Sequence, residues 1–524
     1  MPVTFPPSST LSPQQLAVLS WVQSGSGSLN LIAYAGTGKT FTLMEIAKVI
    51  KEPAFMGAFN KSIADEFKER LSAIRAYHVK GATIHSAGLE AWKKVAPRAT
   101  VEGRKLQTIA RNKFSWDRKL SSVICSTVGM AKQAVLGAGT SYTDPANWQE
   151  IIDYYDIQDD IPAGISVERF IGHCVEVYKE SLDLCEEIID FDDMLLAPLF
   201  FKAPFKKYKW VLIDECQDTN TARRAIAFEM MGEGSRMVAV GDRFQSIYGF
   251  CGASANSMDL IADEMKKRGE FTELPLSVTY RCPKAVVDLA QNWVPDFEAH
   301  QTAPEGQVTT ITDKQFWEED FSLSKDVILC RNTRPLVGIA GRLREERSIA
   351  CIVEGMNGKG LMTLAIKWGE DIGLEEFLEY LDEYEAKEKA KWTTKNKPSK
   401  VEYVEDKCGT MRLICHQVGL QRTTADLSRR IDLMFNDPGN GRVLRLCTIH
   451  RSKGREWERV YLIGRNRYMP SPYAKKEWEL QQEENLAYVA VTRAKVELVE
   501  VEVPFKRKGS DLEWWERYGD HDDD

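Results

Sequence analysis

Short apolar runs recur along the chain, and several lead into a segment whose apolar positions repeat at helical spacing. Asn30–Gly36 is followed by Phe41–Lys51, Tyr208–Glu215 by Ala222–Met231, and Asp326–Arg331 by Leu336–Glu346, while Met237–Asp242 and Arg459–Gly464 are further runs of the same kind. Runs without a polar alternate describe strands buried on both faces, and strand-then-helix alternation predicts parallel α/β sheets. Residues 87–186 and 357–439 break this rhythm and read as mainly helical insertions into the α/β cores. In the second of them, Gly373–Ala386 has the pattern of an amphipathic helix, and the lysine-rich stretch Lys387–Lys407 reads as a linker.

Composition narrows the class. With 524 residues and 43% hydrophobic content, the chain has enough apolar material for several packed cores, which excludes a disordered or collagen-like protein. The N-terminal stretch lacks a basic region followed by an apolar run, and no segment approaches the roughly 18 apolar residues of a membrane span. The expectation is a soluble, cytoplasmic protein with no membrane partner, nucleoid-associated in a bacterium or nuclear in a eukaryote. Eleven cysteines without a Cys-x-x-Cys pair fit reduced, buried thiols, and the spacing of Cys408, Cys415 and His416 matches no zinc template. The net charge of −8 argues against a nucleic-acid partner only at first sight. Residues 511–524 hold seven acids and one arginine, so they carry six of those eight charges and leave a nearly neutral body.

Ala33-Tyr-Ala35-Gly36-Thr37-Gly38-Lys39-Thr40 joins a strand to a helix through a glycine turn, the context a P-loop requires. Backbone N–H groups of Ala35–Thr40 and the helix N-terminus would cradle phosphates, Lys39 would reach the β/γ oxygens of ATP, and Thr40 would ligate Mg²⁺. Ala33 replaces the usual first glycine. A second strand ends in Asp214-Glu215, which places two acids at the C-terminal edge of a buried sheet, where ligands bind. Asp214 would hold Mg²⁺ through water, and Glu215 would orient or deprotonate the attacking water. A lone strand-end acid pair is usually only solvated; the P-loop upstream gives this one a task.

With Asp214-Glu215-Cys216-Gln217-Asp218 and Val240–Gly249, which includes Gln245, the sequence resembles the UvrD/Rep/PcrA family of superfamily-one DNA helicases. Further blocks follow in the family's order: Gln15, Ala58-Phe59-Asn60-Lys61, Thr83-Ile84-His85-Ser86, Tyr280-Arg281, Thr448-Ile-His450 to Glu456-Trp457, and Val491-Thr492-Arg493-Ala494. In wording they are most similar to the F-box DNA helicase branch, with no F-box segment ahead of them. The resemblance implies two RecA-like domains with ATP in the cleft between them. It implies that Gln15 reads adenine, Tyr280 stacks on it, Glu456 meets the sugar, Gln245 joins the catalytic set, and Arg281 and Arg493 act as arginine fingers on the γ-phosphate. Single-stranded DNA would meet Phe59, Asn60, Thr83, His85, Thr448 and His450 and stack on Tyr248 and Phe250, with Arg331 and Asn332 as weaker backbone contacts. In the block before Asn60, either Ala58 or Phe59 holds the aromatic position. Travel 3′ to 5′ is likewise an implication of the resemblance.

The domains expected on this basis are 1–86 and 187–275 (first RecA-like domain, 1A), 87–186 (insertion 1B), 276–356 and 440–508 (second RecA-like domain, 2A), 357–439 (a short insertion 2B) and 509–524 (an acidic aromatic tail). The expected function is an ATP-dependent 3′–5′ helicase in DNA repair, recombination or replication, acting on single-stranded and 3′-tailed duplex DNA. Two alternatives stand beside it: an ATPase that strips proteins from DNA with little unwinding, suggested by the short second insertion, and a nucleotide-timed module that recruits a protein partner through the tail. That tail reads either as a docking peptide or as a packed Trp514–Trp515 pair with a frayed end, and the second is the simpler reading.

Overall fold

The computed structural model describes residues 11–155, 157–162, 164–247, 256–394, 397–436 and 443–504. It divides into two compact units, Met1–Ser277 and Val278–Asp524. The first is built on six strands: β1 (Ser28–Ala33), β2 (Ala54–Ala58), β3 (Val79–Thr83), β4 (Tyr208–Ile213), β5 (Met231–Gly241) and β6 (Phe271–Leu276). They lie in the order β3-β2-β4-β5-β1-β6, every neighbouring pair parallel. Leu29, Leu31, Met56, Leu212, Val238 and Val240 pack on one face, and Phe55, Val211, Ile213, Met237 and Ala239 on the other. Burial of both faces is why these strands read as unbroken apolar runs.

Because the strands share one direction, their C-terminal ends line one edge. The helices Lys39–Val49, Lys61–Ala73, Ile84–Val95 and Thr221–Glu229 begin along it. The domain break expected at 86/87 falls inside the helix Ile84–Val95. Beyond it, the helices Lys105–Lys113, Arg118–Gln133, Pro145–Tyr154 and Val167–Asp183 form a bundle with an apolar core of its own, including Ile124, Val128, Trp148, Phe170 and Tyr178. Buried charges fasten its base. Lys132 Nζ lies 2.7 Å from Asp190 Oδ2 and 2.7 Å from Asp193 Oδ1, and Lys105 Nζ lies 2.7 Å from Asp193 Oδ2.

The second unit repeats the parallel architecture with β7 (Gln307–Thr312), β8 (Asp326–Cys330), β9 (Cys351–Glu354), β10 (Leu444–Thr448), β11 (Trp457–Ile463) and β12 (Ala494–Glu502), in the order β7-β12-β11-β8-β10-β9. Among the described residues, its inserted helices, Gly358–Ala365, Leu374–Thr394, Pro398–Val418 and Thr424–Phe435, have no separate core. Phe377, Leu381, Cys408, Met411, Leu427 and Ile431 join Ile328, Leu446, Tyr461 and Val499 in one cluster. The linker expected over Lys387–Lys407 is corrected by this packing, since its described residues are almost all helical. Val401, Val404, Cys408, Met411 and Cys415 recur every three or four residues and are buried. The lysines use the other faces, where Lys389 Nζ pairs with Glu405 at 2.5 Å and Lys391 Nζ with Glu388 at 2.7 Å.

Among the described residues no helix is long and apolar enough to cross a membrane. The ten described cysteines are free thiols, nine of them buried.

Candidate nucleotide site and strand-contact residues

At the end of β1 the chain turns through Gly36 and Gly38, whose φ angles of +70° and +85° lie in the left-handed region. A Cβ on Gly38 would also come 3.1 Å from Gln15 Nε2. The Thr37 hydroxyl donates to the Tyr34 carbonyl at 2.9 Å and closes the loop. The helix Lys39–Val49 starts without a side-chain cap, so its first N–H groups face the loop in the arrangement that favours an anion. Lys39 Nζ donates to the Ala33 carbonyl at 3.2 Å, and Thr40 Oγ1 donates to Asp214 Oδ2 at 3.4 Å. Gln15 is fixed beside this turn. It shares a capping box with Ser12, accepting from its N–H at 3.0 Å and donating its own N–H to its hydroxyl at 3.1 Å, while Gln15 Nε2 reaches Thr42 Oγ1 at 3.5 Å.

Asp214 and Glu215 follow β4 on the neighbouring edge. Burial first, and the Glu215 charge second, push the Asp214 carboxyl up to about 7, against the pull of Lys39. Glu215 has φ +50°, a strained conformation for a residue with a Cβ. Its N–H donates to Asp214 Oδ1 at 2.9 Å, its carbonyl accepts from the Asp218 N–H at 3.0 Å, and its side chain accepts from Gln217 Nε2 at 2.5 Å. Two roles escaped the sequence reading. Gln217 Oε1 accepts from the Asp242 N–H at 3.1 Å, and Asp242 Oδ2 accepts from Gln245 Nε2 at 2.7 Å, so Glu215 and Gln245 are joined through Gln217 and Asp242. Gly241 makes this approach possible, because a Cβ there would lie 2.6 Å from Gln217 Oε1. The signal for Asp242 was present in Met237–Asp242, an apolar run ending in an acid like the one that ends in Asp214.

Among the described residues no group of three or more His, Cys, Asp or Glu side chains is arranged to hold a metal ion alone. A buried carboxylate 3.4 Å from a threonine hydroxyl fits Mg²⁺ all the same, since this ion is commonly held by one or two carboxylates together with substrate phosphates.

The strand-contact candidates of the first unit sit at the ends of β2 and β3. Asn60 Oδ1 caps the helix Lys61–Ala73 by accepting from the Ile63 N–H at 3.0 Å, and Thr83 Oγ1 caps Ile84–Val95 by accepting from the Ser86 N–H at 3.1 Å. Ala58 is buried within β2, whereas Phe59 is only partly buried and carries the Arg223 guanidinium 4.6 Å from its ring centroid. Burial, with Arg223 second, holds His85 down to about 4, so its imidazole is neutral at pH 7. Tyr248, Phe250 and residues 509–524 lie outside the described residues.

In the second unit Tyr280 is 41% exposed and packs against His300, the ring centroids 4.7 Å apart and the planes tilted by 32°. Arg281 Nε pairs with the Glu456 carboxylate, and Lys495 Nζ lies 3.5 Å from its other oxygen. Arg493 is buried. It donates to the Val489 carbonyl at 2.8 Å, the Arg455 carbonyl at 3.2 Å and Thr492 Oγ1 at 3.0 Å. Burial first and Arg281 second lower its pKa to about 10. Thr448 precedes the short helix Ile449–Ser452 without capping it, and burial, with Arg331 second, holds His450 down to about 4.

Arg331, a weaker strand-contact candidate, donates to Glu483 at 2.9 and 2.7 Å, to Glu402 at 2.5 Å and to Asn332 Oδ1 at 3.0 Å. Glu402 belongs to the inserted helix Pro398–Val418. Four residues further along it, Asp406 accepts from the N–H groups of Thr333 and Arg334, each at 2.9 Å, and caps the helix Thr333–Arg347 from outside. The partners of Arg331 lie 71 and 152 residues away in the chain, so no local pattern announces them.

All-parallel sheets, a glycine turn feeding an uncapped helix N-terminus, and a strand-end acid pair beside its threonine define a P-loop nucleotide-binding protein. Residues 11–266 match the model of the UvrD/REP helicase N-terminal domain and residues 373–501 that of the UvrD-like helicase C-terminal domain. The chain belongs to this helicase family. It is 26% identical over 277 residues to ATP-dependent DNA helicase Rep of Escherichia coli (48% of this chain, 39% of that protein). Against DNA helicase II of Rickettsia typhi it is 30% identical over 292 residues (51% and 42%). Against F-box DNA helicase protein 1 of Schizosaccharomyces pombe it is 23% identical over 551 residues (95% and 58%). The matches thus span 39% to 58% of these relatives' lengths.

Proposed function

We propose that the chain is an ATP-hydrolysing motor that moves 3′ to 5′ along single-stranded DNA and separates strands, in repair, recombination or replication. The observation that carries this reading is the single sheet edge of the first unit, where Lys39, Thr40, Asp214, Glu215 and Gln245 stand at the ends of strands beside those that present Phe59, Asn60, Thr83 and His85. The relatives named above are DNA helicases, and the ordered motifs support the direction of travel.

The uncapped N–H groups of the P-loop and Lys39 bind and orient the β- and γ-phosphates. Mg²⁺, held by Thr40 and Asp214, supplies charge neutralisation when bound. Glu215 accepts a proton from the attacking water, and Gln245 meets the γ-phosphate and is linked to Glu215 through Asp242 and Gln217. Gln15 and Tyr280 take the adenine, Glu456 the sugar, and Arg281 and Arg493 the charge that develops in the transition state. For each arginine this role means leaving its present partners, the Glu456 carboxylate or the backbone carbonyls. Tyr248, Phe250, Thr448 and His450 complete the strand contacts. A protein partner for the tail is a further part of the proposal.

The test is unwinding of duplexes with a 3′ or a 5′ single-stranded tail. Faster displacement from the 3′-tailed substrate supports the reading, and a preference for the 5′ tail overturns the direction. One observation favours a second reading, protein displacement with little unwinding: the inserted helices of the second unit share one core with its sheet, which leaves them little freedom to engage a duplex. Release of streptavidin from biotinylated single strands, with no separation of the 3′-tailed duplex, would favour it.

A further inference from the structure

Arg223 belongs to no motif used above, yet it touches both halves of the proposed chemistry. It occupies the first turn of the helix Thr221–Glu229, with its N–H held by Asn220 Oδ1 at 3.0 Å. Its guanidinium covers the Phe59 ring at 4.6 Å, and its charge bears on His85. On the other side Nη1 points to the Asp218 carbonyl at 3.5 Å, and the Asp218 N–H in turn donates to the Glu215 carbonyl at 3.0 Å. Asp218 and Asp192 are the carboxylates that offset its charge. Its Nε is buried without an acceptor.

Arg331, by contrast, engages its donors with Glu402, Glu483 and Asn332. Arg223 has one long side-chain hydrogen bond, one empty donor and a ring contact with Phe59. Glu215, at the far end of the chain of contacts, is already in a strained left-handed conformation, so a small push on the Asp218 turn changes where its carboxylate points. We propose that Arg223 is the positioning residue through which an occupied strand track acts on Glu215. A base stacked on Phe59 moves the ring, the guanidinium follows, and the Glu215–Asp218 turn settles into its hydrolytic geometry. This inference rests on the motor reading above.

The test uses Arg223→Ala and Arg223→Lys in the full chain, with ATP turnover measured without and with saturating oligo(dT), and oligo(dT) affinity followed by fluorescence anisotropy. Turnover without DNA is expected to stay close to wild type, while the stimulation by oligo(dT) falls by about tenfold in Arg223→Ala and less in Arg223→Lys. The lysine variant keeps the charge and guards against a folding failure of the alanine variant. Combined with Phe59→Leu, the loss of stimulation is expected to be no greater than for the more severe single variant, because both interrupt one route. Unchanged stimulation in the variants, an equal fall with and without DNA, or losses that multiply with Phe59→Leu would overturn the inference while the motor reading stands. A wild-type enzyme that DNA does not stimulate would remove both.

Discussion

The tripeptide Thr-Ile-His ends a parallel strand twice, at Thr83–His85 after β3 and at Thr448–His450 after β10. Both histidines are held down to about 4 by burial with an arginine second, Arg223 in one case and Arg331 in the other. There the likeness stops. Thr83 caps its helix and Thr448 does not. Arg223 has an empty donor, whereas Arg331 is bound by carboxylates from Glu402 and Glu483. The same contrast runs through the insertions, the first with its own core and the second sharing the core of its sheet. Identical local sequence therefore sits in two kinds of surroundings, set by tertiary partners: a sparsely bonded arginine beside the first histidine and a carboxylate-braced one beside the second.

The largest effect that tests this division is on chemistry. Lys39→Ala and Glu215→Gln are each expected to lower ATP turnover by about 10²–10⁴-fold while the thermal unfolding transition persists. Turnover near wild type in either variant would remove the first unit's edge as the hydrolytic site. Next comes bracing. Arg331→Ala leaves Glu402 and Glu483 with uncompensated buried charge and should cost about 3–5 kcal/mol in urea unfolding. Arg223→Ala should cost clearly less, and equal losses would erase the contrast.

A third effect depends on pH. Asp214 titrates near 7 in the folded chain against 3.8 in the unfolded one, so between these values the folded state binds more protons and nucleotide-free stability falls as pH rises. At about 1.4 kcal/mol per unit, Asp214→Asn should gain on wild type by a few kcal/mol in urea unfolding between pH 4 and pH 7, and a constant difference would contradict the assigned shift. His85 and His450 work the other way, because each is depressed from 6.5 and each withdraws stability as pH falls from 6.5 toward 4. The smallest contrast is in capping. Thr83→Val should cost about 1 kcal/mol, whereas Thr448→Val should lie within about 0.5.

Much of the first unit was legible because its signals are local. Gly36 and Gly38, the apolar run into Asp214-Glu215 and the Asn60 and Thr83 positions each sit within a few residues of the structure they create. Asp242 lies inside the Val240–Gly249 block, but its tie to Gln217 spans 25 residues of chain and has no local signal. The second unit hid more. The apolar face of Pro398–Val418 is interleaved with lysines and acids, so charge masked a helical period that only packing against Phe377 and Leu381 makes decisive. Arg331 and Asp406 depend on partners brought together by the fold, as does Arg223, whose contacts come from the segments that follow β2, β3 and β4.

The most direct measurement is steady-state ATP hydrolysis by the wild-type chain with and without a single-stranded oligonucleotide. The expected result is a rate at least about tenfold higher with the oligonucleotide, abolished by Glu215→Gln. Equal rates in its presence and absence would contradict a motor whose hydrolytic edge answers to an occupied strand track.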